Sequence, residues 1–491
     1  MTSQKFTVFL GMSEPYVQDK LRNIWNRYSN IADCQTIKAF GQEIKEIQQL
    51  AMAAGSDDIN GSTSNSGDKN SGCTFFWLEY EDFDWDLMHR NPNEMVFGNA
   101  YFIRKGLIRK AQMSYNFRIH MAKNSDSCLY KNVPETWIFD LDDIDYLDEA
   151  MQECFEVDQA LVNNECIVGE GGDRDAIQRF ILKPSLTGRG AGIHIFDTHT
   201  RLEEILRSEM ASDVEDEYNE DLEESENKNN GNINGDSVSN DNSFRVPTMD
   251  DDNEGLTLSQ QRNNQWQLQP VSQIREFVIQ RYIDKPLLLP KYSNRKFHIR
   301  TYVLAVGSIK VYVYKQMLAL FAPESYDNDG LMLDNLGAHL TNTCLQAKRE
   351  SFDEDKAVEL FWELATKDNE TGENSLNRQG LEVIYAQIKD TLASCFAAII
   401  SQTSTFQPWP NCMEQFGFDF LVDENLRVYL LEANAYPDFK QTGKRFEGLV
   451  EGFMESSVSA ALHMMNAKSQ ITEQLPEIPK DLELVHEAML R

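Results

Sequence analysis

A chain of 491 residues with 41% apolar side chains has material for two or three structural units around an ordinary globular core. Its formal net charge of -33 disfavours non-specific attraction to nucleic acid or to anionic membrane as a property of the whole molecule. No run of about 18 apolar residues occurs, so no membrane span is expected. The apolar stretch Phe6–Leu10 turns polar too soon for a secretory signal. The eight cysteines lack C-x-x-C spacing and the eight histidines lack H-E-x-x-H spacing, which excludes a zinc ribbon or disulfide scaffold and points to reduced thiols in the cytoplasm or nucleus.

In chain order, residues 5–10 read as a strand, and 15–29 as a helix with Val17, Leu21, Ile24, Trp25 and Tyr28 on one side. Residues 54–72 carry almost no apolar side chains and read as a flexible loop; Cys73–Tyr80 returns to strand composition. These pieces suggest a small N-terminal α/β unit over 1–95. Residues 99–120 read as one helix, and 177–197 as a strand, a glycine-rich turn and a second apolar stretch. Residues 203–254 hold 18 Asp/Glu against 3 Lys/Arg, a local charge of -15. The acidic, Asn- and Ser-rich segment 210–265 cannot bury enough apolar surface to offset its ordering entropy and reads as a disordered insertion. Its charge suits a solvated tether or a docking site for a basic partner. Phe277–Ile283 is then a strand, and Thr301–Val306 with Lys310–Tyr314 a hairpin turning at Gly307-Ser308. Residues 355–366 and 379–400 have helical periodicity, Phe416–Glu432 forms a last hairpin, and 443–463 a last helix. The mixture with antiparallel hairpins gives α+β as the fold class.

Four constellations carry chemistry. In the last hairpin, a two-residue loop at Glu424-Asn425 would pair Asp419 with Leu430 and put Glu432 diagonally across on the same face, with Asn434 two residues further. Two carboxylates and an amide on one half-buried face suit Mg²⁺; a solvent-facing acidic edge is the alternative. In Phe180-Ile-Leu-Lys-Pro-Ser-Leu-Thr-Gly-Arg-Gly-Ala-Gly, Lys183 precedes a glycine loop whose backbone N–H groups can approach phosphate, although an ordinary turn has the same look. On Arg295-Lys-Phe-His-Ile-Arg, Lys296, His298 and Arg300 share a strand face, which suits a polyphosphate or a solvated edge. His339-Leu-Thr-Asn is a short polar tetrapeptide that also fits a turn or cap.

Taken in order, these motifs resemble the tubulin-tyrosine ligase family from about residue 99 to 440, interrupted by the acidic segment. The resemblance rests on Arg104-Lys105 before Gly-Leu-Ile, Lys183-Pro-Ser with its glycine loop, and Gln280-Arg-Tyr-Ile. It rests equally on Arg295-Lys-Phe-x-Ile-Arg, His339-Leu-Thr-Asn, Gly417-Phe-Asp and Leu431-Glu-Ala-Asn. In the N-terminal unit it is looser, chiefly Trp77-Leu-Glu-Tyr and Trp85. The resemblance implies an ATP-grasp fold, with lobes at 96–209 and 266–465 around the insertion and a C-terminal tail at 466–491. It implies ATP and Mg²⁺ as cofactors. Lys105 and Lys183 would contact phosphates, and Gln280, Arg281, Tyr282 and Ile283 would frame the adenine. Lys296, His298, Leu340, Thr341 and Asn342 would contact the nucleotide. Lys183 and Arg300 would be the catalytic cations, and Asp419, Glu432 and Asn434 would hold the metal. The implied reaction makes an acyl phosphate that an amine attacks to form an amide.

Two positions depart from the family pattern. His298 stands where the family has Asp, and Leu320 stands where an anion-binding Arg is expected. Two readings follow. One is an active ligase adding an amino acid to a protein, tubulin or another acidic-tailed partner, gripped by a basic stripe of Arg104, Lys105, Arg109, Lys110, Arg118 and Lys123. The other is an ATP-binding pseudo-ligase acting as a cytoplasmic scaffold for mRNA-decay proteins, similar to a fungal P-body-associated relative. No membrane and no direct nucleic-acid contact are expected.

Overall fold

Period-two apolar patterns become three sheets in the computed structural model, which describes residues 5–38, 41–56, 73–90, 95–186, 191–209, 276–326, 333, 335–341, 354–365, 376–439, 444–469 and 474–488. The first sheet contains β1 (Phe6–Gly11), β2 (Ala32–Thr36), β3 (Thr74–Leu78) and β4 (Val96–Gly98), all parallel, in the order β2-β1-β3-β4. Every residue of β3 is buried, as a parallel strand covered on both faces requires. Helix α1 (Pro15–Arg27) opens with Pro15, whose missing N–H would have had no partner in the first turn, and buries Val17, Leu21, Ile24 and Trp25. Helix α2 (Gln42–Ser56) takes in 54–56, where a loop was expected; 57–72 lie outside the described residues.

The second sheet is antiparallel and comprises β5 (Thr136–Asp140), β6 (Phe180–Pro184), β7 (His194–Phe196) and β8 (Glu276–Arg281), in the order β5-β8-β6-β7. The helix expected over 99–120 is divided. Arg109, at φ -95° and ψ 124°, is extended and separates the turn Lys105–Ile108 from α3 (Lys110–Lys123). Helix α4 (Phe155–Gly169) lays Val157, Ala160 and Leu161 against Phe139, Phe180 and Phe277 of the sheet. The expected insertion, 210–265, lies outside the described residues. Residues from 266 onward were expected in the C-terminal lobe, yet β8 is the inner strand between β5 and β6. Its run Phe277–Gln280 is buried throughout, so both of its edges need partners.

The third sheet has seven strands: β9 (Arg295–Val306), β10 (Lys310–Tyr314), β11 (Leu318–Ser325), β12 (Val358–Leu360), β13 (Met413–Val422), β14 (Val428–Ala435) and β15 (Leu482–Glu487). One edge of β9 carries β11 along its first half and β10 along its second; the other carries β13, which pairs onward with β14. Gly307, at φ +61°, makes the expected β9–β10 turn, a conformation without steric cost only for glycine. The helix expected over 355–366 does not form over 355–365, and residue 366 lies outside the described residues. After one turn, Glu354–Ala357, the chain pairs with β11 as β12, because the sheet edge offers Val358–Leu360 backbone partners that outweigh the local period. Within the tail, β15 pairs with β10.

Helices α5 (Arg378–Ile400) and α6 (Glu447–Ser469) cover opposite faces of this sheet. Alternation on β9 sends Phe297, Ile299, Val303 and Ala305 to the α5 side, with Leu392 and Phe396. It sends Tyr302 and Leu304 to the α6 side, with Phe453 and Met454. Lys296, His298 and Arg300 share the α6-side face of β9 but precede the stretch that α6 covers, and Lys296 and His298 line a cleft there, with Arg300 behind the lining. Among the described residues α5 is the one helix long and apolar enough to cross a bilayer, and it is a core helix here, with Leu381, Ile388, Leu392 and Phe396 fully buried.

Gly106 is a close-packing point: an added Cβ would lie 2.5 Å from Thr405 Oγ1 and 2.7 Å from Asn116 Nδ2. Gly106→Ala is expected to lower the urea midpoint by the equivalent of about 1–3 kcal/mol. Gly448→Ala, at a helical site with nothing within 4 Å, is the control and should hold or raise it.

Candidate active site

The polar face of β9 is graded along its length. Lys296 Nζ donates to the Tyr282 hydroxyl at 2.9 Å and lies 4.3 Å from that ring's centroid; the same hydroxyl is 2.8 Å from His339 Nδ1. Two residues on, His298 Nδ1 is 2.6 Å from Thr341 Oγ1. Its Nε2 is buried, makes no hydrogen bond among the described residues, and is 3.6 Å from Asp419 Oδ1. Arg300 then grips Asp419 in bidentate fashion, Nε to Oδ1 at 2.5 Å and Nη2 to Oδ2 at 3.0 Å.

The hairpin that supplies Asp419 differs from the expected register. The turn is not a two-residue loop: Asp423 Oδ1 accepts from the backbone N–H groups of Asn425 and Arg427, at 2.8 and 2.9 Å, and Leu426 is left-handed at φ +60°. Leu430 therefore pairs with Phe420, not with Asp419. A bulge at Leu431 then advances β14 by one residue, which brings Glu432 directly opposite Asp419. Without the bulge Leu431 would oppose Asp419 and Glu432 would turn to the other face. Asn434 stays on this face and donates to Glu432 Oε1 at 3.3 Å.

The second sheet supplies the facing wall. Lys183 on β6 donates to Gln280 Oε1 on neighbouring β8 at 2.6 Å, and Gln280 Nε2 donates to Thr136 Oγ1 at 3.1 Å. Helix α3 docks its first residues on the same strand end: Lys110 N and Ala111 N donate to Ser185 O and Oγ at 3.3 and 3.2 Å. Lys110 is thereby buried, with Nζ 3.4 Å from Glu432 Oε2. Burial, reinforced by Lys183, lowers the Lys296 amine to about 7. Burial also lowers Lys183 to about 8, with Lys110 adding to the fall and Glu432 opposing it. Burial alone would raise Glu432, but Lys110 and Lys183 outweigh it and hold the carboxyl at about 2. His298 is lowered by burial, so the ring is neutral at pH 7.

These groups line a cleft whose non-atom space, open solvent included, is about 720 Å³. Lys183, Gln280, Arg281, Tyr282, Ile283, Lys296, His298, Leu340, Thr341, Asp419 and Glu432 all line it. Arg300 and Asn434 stand behind the lining, tied to Asp419 and Glu432. Asn342 and loop residues 187–190 lie outside the described residues. Lys105 is a correction: it is exposed at the start of a short turn, and Lys110 takes the inward place. Two Arg-Lys pairs, 104–105 and 109–110, compete in the sequence. The signal that separates them is that Lys110 shares spacing with buried Met113, Ser114 and Phe117. The basic stripe shrinks accordingly. Arg104 pairs with buried Glu414 and stacks 3.9 Å over the Tyr80 ring, leaving Lys105, Arg109, Arg118 and Lys123 exposed. Leu320 is 5% exposed, sits opposite His298 across β11–β9, and packs into apolar surroundings.

Lys110→Met removes one partner of a desolvated carboxylate and is expected to cost about 3–5 kcal/mol in chemical denaturation at pH 7. Since Glu432 is depressed in the fold, its stabilising share is complete above its unfolded value and fades as pH falls toward 2. The difference between the parent and Lys110→Met should therefore narrow in acid.

Comparison with known proteins gives this site a family. A sequence model of the tubulin-tyrosine ligase family matches residues 98–471. A probable tubulin–tyrosine ligase of Schizosaccharomyces pombe is 36% identical over 391 residues, covering 79% of this chain and 83% of that protein. The probable tubulin–tyrosine ligase PBY1 of Saccharomyces cerevisiae is 36% identical over 401 residues; the match covers 79% of this chain and 46% of PBY1, so the chain spans about half of that relative. The solved C-terminal domain of K. lactis Pby1, described as an ATP-grasp enzyme interacting with the mRNA decapping enzyme Dcp2, aligns over 99% of this chain and 100% of its own, with TM-score 0.58 and 24% identity. That likeness identifies the α+β architecture as an ATP-grasp fold. With the family model spanning most of the chain and 36% identity to a relative over 79% of this chain and 83% of that protein, the protein belongs to the tubulin-tyrosine ligase family.

Proposed function

We propose that the chain is an ATP- and Mg²⁺-dependent carboxylate–amine ligase that adds an amino acid to a protein through an acyl phosphate. The observation that carries this reading is the direct pairing of Asp419 with Glu432 on a cleft wall faced by Lys183 and Lys110. Carboxylates and buried amines gathered in one desolvated cleft suit a metal–polyphosphate ligand, in which each charge finds its opposite. In this reading Gln280–Ile283 and Lys296 frame the base, and His298, Leu340 and Thr341 line the middle. Lys183, Lys110 and Arg300 face the phosphates, with Lys110 in the role first expected of Lys105; Asn342 stays assigned on sequence alone.

The hard oxygens of Asp419 and Glu432, with the Asn434 carbonyl available by a half-turn of its amide, fit Mg²⁺. When bound, that ion would neutralise charge on the transferring phosphoryl group. The chain's own task is positioning. Arg300, fixed by its two bonds to Asp419, and Lys183, fixed by Gln280, hold cationic donors at set places. A substrate carboxylate oxygen bonds the γ-phosphorus as ADP leaves; an amine then bonds the acyl carbon as phosphate leaves.

The acceptor is proposed to be a protein with an acidic tail, met by the exposed Lys105, Arg109, Arg118 and Lys123 in the cytoplasm. A second reading, an ATP-binding scaffold in mRNA-decay granules, is favoured by one observation: Leu320, opposite His298, offers no charge to an anion there. The K. lactis relative's contact with Dcp2 supports the same reading.

Magnesium-dependent ATP turnover and amino-acid incorporation, read across a panel of candidate proteins, separate the two. An active ligase shows both, and Glu432→Gln reduces them by about 100-fold. Nucleotide binding without turnover across the panel leaves the scaffold. A proton count tests the cleft itself. Phosphate raises the Lys183 amine from about 8, so ATP binding at pH 8 should take up protons, and this uptake should vanish near pH 5.5, where that amine is already charged. Calorimetry in two buffers of different ionisation heat measures it.

A further inference from the structure

Away from the cleft, helix α4 carries a second apolar face. Its inner side holds Val157, Ala160, Leu161 and Asn164 against the second sheet. The helical period puts Phe155, Gln159, Val162 and Cys166 on the opposite side, in one stripe along the axis. A solvent-facing stripe is ordinarily polar. Here Phe155 is 58% exposed and Val162 50%, and Cys166 between the last turns is exposed as well. One apolar face is enough to join a helix to its sheet; α4 has two. Large apolar side chains aligned in the open mark an interaction surface rather than a core.

Carboxylates border the stripe on both sides. On one border Glu156 Oε2 accepts from Trp137 Nε1 at 3.1 Å. On the other, Asp158 Oδ1 is 2.8 Å from His199 Nε2, and Glu165 Oε1 is 3.2 Å from Nδ1 of the same ring. These contacts hold the three acids beside the apolar side chains. The charge extends along the chain: residues 142–170 contain ten Asp/Glu and no Lys, Arg or His, and every one of the ten except the half-buried Asp158 is exposed.

Charge decides what can cover such a face. In a two-fold contact a second copy would bring the same carboxylates against themselves. The chain's own stretch 203–254, at -15, is repelled in the same way. Nucleic acid and anionic membrane carry the wrong sign. A helix with apolar side chains along one stripe and Lys or Arg on its borders meets every demand. Its stripe takes Phe155 and Val162 out of water, and its cations reach Glu156 on one side and Asp158 and Glu165 on the other.

We propose that the outer face of α4 docks a basic amphipathic helix of a partner protein, with Phe155 and Val162 as apolar anchors and Glu156, Asp158 and Glu165 as charged borders. The face shares no residue with the lining of the cleft, so it stands whether the chain ligates or only scaffolds.

The test uses the full chain and three synthetic peptides of about 18 residues, long enough to lie along all of α4, read by fluorescence anisotropy. The first has Leu at the a and d positions of a heptad and Lys at e and g. The second has the same residues scrambled, and the third has Glu in place of Lys. The first should bind, and the other two about 10-fold more weakly or worse. Phe155→Ser combined with Val162→Ser should weaken the first peptide by about 10-fold while Tm holds or rises, because both side chains are exposed in the free chain. Asp158→Asn combined with Glu165→Gln should weaken it and flatten its dependence on salt. No binding of the first peptide, equal binding of the scrambled one, or parent-like binding by the Phe155 and Val162 variant would overturn the docking face. So would sedimentation equilibrium showing self-association of the parent that the same variant loses, since the face would then belong to a second copy.

Discussion

Charge held out of water is the constraint on which the rest of this structure depends. Arg300 with Asp419, and Lys110 with Glu432, are partly or wholly desolvated pairs, and each sits where a different element ends or bends. Charges in such a place are tolerated when paired and strongly destabilising when single. The elements that carry them must therefore arrive together. Lys110 reaches Glu432 because Ser185 seats the start of α3, and Asp419 reaches Arg300 because β13 runs along the long strand β9. The cleft is where the fold's demand for charge balance and its chemistry coincide.

Much of this was legible in the sequence because it depends on local pattern. The alternation of Lys296, His298 and Arg300 on one face needs only a strand of period two, and so does the run Gln280–Ile283 along one lip of the cleft. What was not legible depends on partners distant in the chain. The bulge at Leu431 decides which face Glu432 occupies, yet nothing in Tyr-Leu-Leu-Glu marks an extra residue; the constraint comes from pairing with β13. The choice between Lys105 and Lys110 depends on Arg109 breaking the helix, and on Ser185 docking the next one, 75 residues away in the chain. Residues 355–366 carried a helical period, but Val358–Leu360 pair with an open sheet edge, and the edge prevailed. Propensity is a weak prior against such tertiary demands.

The two departures from the family pattern also acquire physical meaning. His298 does not stand as an isolated cation among phosphate-binding groups. Burial keeps it neutral, and Thr341 holds its Nδ1, so the ring is a fixed polar wall rather than a missing acid. Leu320 is no neutral substitute in this sense, because it fills apolar space beside Val358 and Ala357. One change is absorbed by a hydrogen bond and the other by packing, and only the second removes a capacity to meet an anion.

The place of β8 bears on how the chain becomes a folded object. β5 and β6 share no backbone ladder; each pairs with β8, which the ribosome delivers after the acidic stretch. Until residues 276–281 emerge, a nascent chain already holding β5, β6 and β7 has two unzipped ladders and cannot assemble half of its future cleft. Such edges are templates for pairing with other chains. Co-translational folding of this lobe is therefore held back by chain order, and a fragment cut at residue 209 would be a sticky intermediate rather than a miniature of the lobe.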